Sequence, residues 1–342
     1  MKADEKPSRA VRIVVSMGDP YGIGPEICQK MAADTRWRAE TGAAVTVVGS
    51  LECLRRAARI CGTESRMQRA GEPVTATSAI GVIETGVPVE YDDGPAGPVE
   101  TGGKAGISYI ERAFREVEAG RADALVTCPI SKEALSAAGS GCPGHTEMLG
   151  SLSGCEDRPV MMMAGKSLRI AFVTTHMALA DLPGAINTEK VIYTARVFVK
   201  ALRRYFDVEN VKTALCALNP HAGDGGRFGR EEIDILRPAI DALRGEGIDI
   251  EGPLPADTVF YKASRGRYNG VVALYHDQGM IPVKMQGPSE VVNITLGLPL
   301  IRTSPAHGTA YDIAGKGVAN PESLKEAIRM AVRMAGRDGL KG

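Results

Sequence analysis

The chain has 342 residues, enough for one large hydrophobic core or two ordinary ones, and its 44% hydrophobic and 24% charged fractions exclude a disordered or low-complexity scaffold. Its 41 basic and 41 acidic residues cancel, which argues against a surface built to hold nucleic acid or an acidic membrane. No apolar run is long enough to span a bilayer, and the N-terminus MKADEKPSRA lacks the apolar centre of a signal peptide, so a cytoplasmic location is expected.

The first ten residues read as a loose tail. Val11 to Met17 (VRIVVSM) reads as a buried strand, followed by the glycine turn GDPYGIGPE. Ala44 to Val48 is a second strand, Leu51 to Ile60 a helix, and Tyr91 to Gly103 a turn-rich stretch. Ile107, Ile110, Phe114 and Val117 then fall at helical spacing before a strand at Ala124 to Thr127. Strands at Leu168 to Thr174 and Lys212 to Leu218 alternate with helices at about Thr188 to Phe206 and Arg230 to Arg244. Strands at Gly270 to Tyr275 and Val291 to Leu296, and a helix from Pro321 to Ala335, close the chain. The alternation predicts an α/β fold, in which ligands bind beyond the carboxyl ends of the strands.

Seven cysteines, Cys28, Cys53, Cys61, Cys128, Cys142, Cys155 and Cys216, are scattered without a CxxC pair and read as reduced packing residues. For Cys128 and Cys142, in glycine- and proline-rich turns, a catalytic role is the alternative. The GDPYGIGPE turn is either a phosphate-cradling loop or a tight strand-to-helix connection.

All five histidines are expected in short loops: PGHTE at His145, TTHMAL at His176, LNPHAGDGG at His221, YHDQGM at His276 and AHGTAYD at His307. His176, His221 and His276 each follow a predicted strand, so a parallel sheet would bring them to one edge, and three converging imidazoles suit a divalent metal with positions left open for substrate. Taken one at a time, each histidine reads better as a loop residue bonded to backbone, and the gaps between the three match no local zinc pattern, so the metal reading depends on the fold bringing them together.

The strings MGDPYGIGPE, GHTE, TTH, NPHAGDGGRFGREE, PAD, YHDQGMIPVK and VNITLGLPLIRTSPAHGTA, in order from Met17 to about Asn320, resemble the 4-hydroxythreonine-4-phosphate dehydrogenase family. HGTAYDIAGKGVANP also resembles the cofactor loop of isopropylmalate and isocitrate dehydrogenases. The resemblance implies a two-lobed α/β/α fold in the outline of those enzymes, with the active site in the interdomain cleft. Residues 1–140 with 308–342 would form a cofactor-contacting domain, and 141–307 a second domain with the metal site and dimer interface. Carried over by position, His176, His221 and His276 become ligands of a divalent ion (zinc, cobalt, magnesium or manganese). His145, Thr146, Lys284, Asn293 and Arg302 become substrate contacts, and His307, Gly308, Thr309, Ala310 and Asp312 adenosine-side contacts to NAD, with NADP as the alternative.

The chemistry so implied is oxidation, then decarboxylation, of a small phosphorylated hydroxy acid in a homodimer that shares its metal site between subunits. Lys284 is an acid/base candidate assisted by Asp257 and Asp277, or else a plain anion clamp. Two departures from the family stand out: Tyr21 where alanine is usual, and Ile130 and Ser131 where biosynthetic members carry valine and histidine. With Met280 and Ile281, the latter pair suggests a catabolic relative acting on D-threonate or D-erythronate 4-phosphate. Oxidation of cis-dihydrodiol carboxylates, or a non-catalytic binding protein on the same fold, are the further alternatives.

Overall fold

A computed structural model describes residues 9–63, 67–70, 80–91, 97–155 and 159–338. The expected tail, up to residue 8, lies outside the described residues, as do residues 92–96 of the expected turn-rich stretch. The chain divides into two units, one of Met1–Glu156 and Pro299–Leu340, the other centred on Asp157–Leu298. The crossovers thus fall near 156 and 299 rather than at 140 and 307, and the GHTE segment and Arg302 go with the first unit.

The first leg carries β1 (Arg12–Ser16), α1 (Gly24–Ala33), α2 (Thr35–Thr41), β2 (Ala44–Val48), α3 (Leu51–Cys61), β3 (Met67–Arg69) and β4 (Ile80–Ile83). It continues through α4 (Glu100–Glu118), β5 (Ala124–Thr127), α5 (Lys132–Ala137) and α6 (His145–Leu152). The second unit contains β6 (Val160–Ala164), β7 (Arg169–Phe172), α7 (Leu182–Ala185), α8 (Thr188–Tyr205), β8 (Lys212–Cys216) and α9 (Arg237–Gly245). It ends with β9 (Asp249–Leu254), α10 (Ala256–Ser264), β10 (Gly270–Ala273), α11 (His276–Lys284) and β11 (Val292–Leu296). The chain then returns to the first unit as β12 (Arg302–Pro305) and α12 (Glu322–Asp338).

In the first unit the strand order is β3-β4-β2-β1-β5-β12, parallel throughout. Val14 and Val15 of β1 and Leu125 and Val126 of β5 are buried, the pattern of strands covered on both faces. Ser50 caps α3 by accepting from the Cys53 amide at 3.3 Å, and Gly62 ends it in the left-handed region. In the second unit the order is β11-β6-β7-β10-β8-β9; β6 runs antiparallel to both neighbours and the other pairs are parallel.

Two consequences position the sites. The neighbours β1, β5 and β12 end at one edge of the first unit's sheet, and so deliver the GDPYGIGPE turn, the TCPIS segment and the HGTAYD loop together. The neighbours β7, β10 and β8 likewise bring the segments carrying His176, His276 and His221 to one edge of the second.

Candidate functional site

The histidine edge is built by backbone ties between strand exits. Val173 N donates to Ala273 O at 2.9 Å, and the Thr174 hydroxyl and amide both donate to Leu274 O at 2.6 and 3.1 Å, which holds the His176 segment against the end of β10. Gln278, buried, accepts from Leu274 N at 2.7 Å and donates to Ala217 O at 2.8 Å, and so staples the exits of β10 and β8. The imidazoles of His176 and His276 consequently lie 5.5 Å apart, centroid to centroid, on a cavity of about 170 Å³ that Tyr275 and Asp277 also line.

His276 Nδ1 lies 2.6 Å from Asp277 Oδ1, so a proton on Nδ1 leaves the Nε2 lone pair for a ligand, the arrangement that orients metal-binding imidazoles. His221 sits in a turn where His221, Ala222 and Asp224 all have positive φ, a conformation costing about 1–2 kcal/mol per non-glycine residue. That turn is fixed from below by Glu232, buried, which accepts from Leu218 N and Asn219 N, each at 2.8 Å, and from Asn219 Nδ2 at 2.9 Å. Among the described residues no group of three or more His, Cys, Asp or Glu is close enough to hold an ion. The chain therefore pairs His176 with His276 and leaves His221, exposed, on the neighbouring strand exit.

Two histidines depart from the expected loops: His145 and His276 are the first residues of α6 and α11. Gly279 and Pro282 inside α11 disguise that helix in the sequence. Lys284 is exposed at the end of α11 and Asp257 exposed in the first turn of α10; neither lines the histidine cavity. Asn293, on β11, has a buried Oδ1 with no hydrogen-bond partner among the described residues.

In the first unit Arg302 is buried on β12, with Nε and Nη2 donating to Thr127 Oγ1 at 3.2 and 2.6 Å. Burial pushes its pKa down to about 10, opposed by the nearby Glu147 carboxylate. His145 is held well below the usual imidazole range by burial and by the charge of Arg302, against a bond to the Cys128 backbone. Its Nε2 is buried without a partner among the described residues, so it is a neutral acceptor beside a buried cation. Thr146 follows it in the first turn of α6.

The residues that the resemblance makes cofactor contacts lie on the same unit. Ile23 N donates to Thr309 O at 2.9 Å, tying the glycine turn to the HGTAYD loop, and a Cβ at Gly22 would stand 2.9 Å from that carbonyl. Gly18, at φ +76°, brings the turn equally close to β5: a Cβ there would meet Pro129 O at 2.3 Å. His307, Gly308 and Asp312 are exposed, and Ala310 takes a positive φ. Asp19, buried, accepts from Tyr21 N at 2.9 Å and from the Tyr311 hydroxyl at 2.5 Å. Burial raises its pKa against those bonds. Tyr21 and Tyr91 clasp each other's segments: the Tyr21 hydroxyl donates to Glu90 O at 2.7 Å and the Tyr91 hydroxyl to Pro20 O at 2.9 Å, with ring centroids 5.4 Å apart. The structural roles of Asp19, Glu232, Gln278 and Tyr311 go unassigned in the sequence, although all four lie inside the strings that carry the resemblance.

An α/β chain of mostly parallel strands, with paired imidazoles beyond the strand ends of one unit and a glycine turn and a buried arginine in the other, has the build of an enzyme acting on a small molecule. The chain matches a family model described as pyridoxal phosphate biosynthetic protein PdxA over residues 41–331. A 4-hydroxythreonine-4-phosphate dehydrogenase of Geobacter metallireducens is 46% identical over 98% of this chain and 99% of the relative. A Bradyrhizobium diazoefficiens relative, provisionally named D-threonate 4-phosphate dehydrogenase, is 41% identical over 94% of this chain and 96% of its own. A crystal structure of 4-hydroxythreonine-4-phosphate dehydrogenase from Klebsiella pneumoniae superposes with a TM-score of 0.84, at 37% identity, over 96% of this chain and 99% of that one. The chain belongs to the pyridoxal phosphate biosynthetic protein PdxA family and is a dehydrogenase.

Proposed function

We propose that the chain oxidises and decarboxylates 4-phosphooxy-threonine (4-hydroxythreonine 4-phosphate) to 3-amino-2-oxopropyl phosphate with NAD as hydride acceptor. The observation that carries the phosphorylated substrate is the pairing of buried Arg302 with the neutral, unpartnered His145 Nε2. A buried guanidinium is costly unless an anion meets it, and its planar fork suits a phosphate or carboxylate. A protonated oxygen or ammonium of the same ligand would find its acceptor at His145.

The donor set fits a divalent ion: two imidazoles stand together on one cavity, one of them backed by a carboxylate. His176 and His276, with a His221, would hold it, and such an ion supplies Lewis acidity toward the substrate's alcohol oxygen. Homodimerisation with a site shared between subunits is part of this reading. Asp277 orients His276, and Asn293, with its spare Oδ1, would accept from a substrate donor. Lys284 serves as the acid/base or as an anion clamp, with Asp257 beside it in the reading.

The cofactor loop fits a dinucleotide by its exposed glycine at 308 and its location beside a cavity of about 450 Å³ that Asp312 lines. The cofactor supplies the hydride acceptor; His307, Gly308, Thr309, Ala310 and Asp312 hold its adenosine side. The catabolic alternative on D-threonate 4-phosphate draws on the Bradyrhizobium relative. Ser131, one of the residues that suggested it, caps α5 by accepting from Ala134 N at 3.2 Å. Met280, another, is buried, so neither marks a substrate preference by itself. The deciding experiment is a turnover screen of phosphorylated four-carbon hydroxy acids, following NADH absorbance, on chelator-stripped and metal-restored protein. Turnover of 4-phosphooxy-threonine only after metal is restored is expected; full activity in metal-free protein overturns the metal assignment, and preference for D-threonate 4-phosphate overturns the substrate.

A further inference from the structure

The first unit holds a second feature that the glycine-turn motif does not by itself explain. Glu26, on the first turn of α1, is only 3% exposed. One carboxylate oxygen, Oε1, accepts from Gly315 N at 2.6 Å and so holds the loop that follows HGTAYD. The other, Oε2, is buried and has no hydrogen-bond partner among the described residues. A buried carboxylate oxygen left unpaired is a substantial penalty unless something meets it. Glu26 is part of the wall of the 450 Å³ cavity, a volume within the roughly 300–1,000 Å³ of small-molecule sites. Opposite chemistry completes that wall: the Arg56 guanidinium lies 3.9 Å from the Tyr91 ring centroid, and Tyr21 and Tyr311 also line the space. Aromatic rings and a guanidinium plane are the surfaces on which a flat heterocycle stacks.

We propose that this cavity receives the adenosine end of the cofactor, with Glu26 Oε2 accepting an N–H or O–H hydrogen bond from it and the Arg56–Tyr91 pair forming its stacking wall. This rests on the nicotinamide-cofactor reading above. It assigns a ligand-binding function to Glu26 and Arg56, two residues outside the HGTAYD loop.

The test uses full-length protein and calorimetric binding of NAD, ADP-ribose and AMP, with no turnover required. Glu26→Gln keeps an oxygen for Gly315 N but replaces the spare acceptor with a donor. It also removes a buried charge, so the variant is expected to melt at or above the wild-type temperature. ADP-ribose and AMP should each bind at least tenfold more weakly to Glu26→Gln, and NAD in the same proportion. Arg56→Lys, which keeps the charge and loses the plane, should weaken AMP severalfold. Unchanged ADP-ribose and AMP affinity in a folded Glu26→Gln protein overturns the proposal, as does weakened NAD with unchanged AMP, which would move Glu26 to another part of the cofactor. Wild-type protein that binds neither NAD nor ADP-ribose overturns the cofactor reading itself.

Discussion

Arg302 shows how a strand of four residues can bury a charged side chain. Its guanidinium donates to the Thr127 hydroxyl through both Nε and Nη2. Charged hydrogen bonds of this kind contribute about 1.5–3 kcal/mol, so Arg302→Lys, which keeps the charge but not the fork, should raise the KM for the phosphorylated substrate roughly tenfold to a hundredfold. The KM for NAD should stay within about twofold in the same initial-rate series; the reverse pattern would assign Arg302 to the cofactor. Asp19 gives a pH signature. Its pKa in the folded protein is raised above the ordinary value of 3.8, chiefly by burial, so its favourable contribution is complete below that value and is lost as pH rises through the folded pKa. Asp19→Asn has no such loss. The stability of the variant relative to wild type, from urea midpoints, should therefore increase from about pH 4 upward and then level off. A difference constant with pH would refute the raised pKa.

At the scale of elements, the exits of β8 and β10 are joined through the side chain of Gln278, not through backbone pairing alone. Gln278→Leu leaves a buried amide and a buried carbonyl without their partner, at a cost of about 1–3 kcal/mol for each group. We expect a lowered denaturation midpoint together with weaker cobalt binding, read from its visible absorption, because the His276 segment is no longer held to its neighbours. Lowered stability with unchanged cobalt affinity would leave Gln278 a packing residue only. Much of this was legible in the sequence. The β-branched runs predict β1, β2, β5, β8 and β10 closely, since a strand buried on both faces must be apolar along its length. Strand β12, by contrast, reads Arg-Thr-Ser-Pro: its polar groups are buried against specific partners, which hydropathy does not register. Helix α11 contains both glycine and proline and was hidden for that reason. The residues visible from the motifs were the ones that the resemblance carries over, whereas Asp19, Glu232 and Gln278, which hold the segments around them, needed the tertiary structure to show what they bond.

For the whole molecule, the shared-site reading makes a measurable claim. Because His176 and His276 of one chain line one cavity, the shared site would draw its His221 from the second subunit: His221→Ala and His276→Ala proteins, each expected to be inactive alone, should recover part of the wild-type activity when unfolded and refolded together, and no recovery in dimers shown to be mixed would exclude a site built from two subunits. A different consequence follows from the return of the chain to its first unit. Strand β12 pairs with β5 and α12 packs on the same strands, yet both are made after the second unit. On a ribosome moving at roughly 5–20 residues per second, β5 waits on the order of 10–30 s with one edge unpaired while the whole second unit is synthesised. The second unit, whose strands and helices are continuous in sequence, can mature during that interval; the first cannot close until β12 and α12 emerge. Nascent chains arrested before residue 302 should therefore expose the first unit to protease and to chaperones that bind bare strand edges, while the second is already protected.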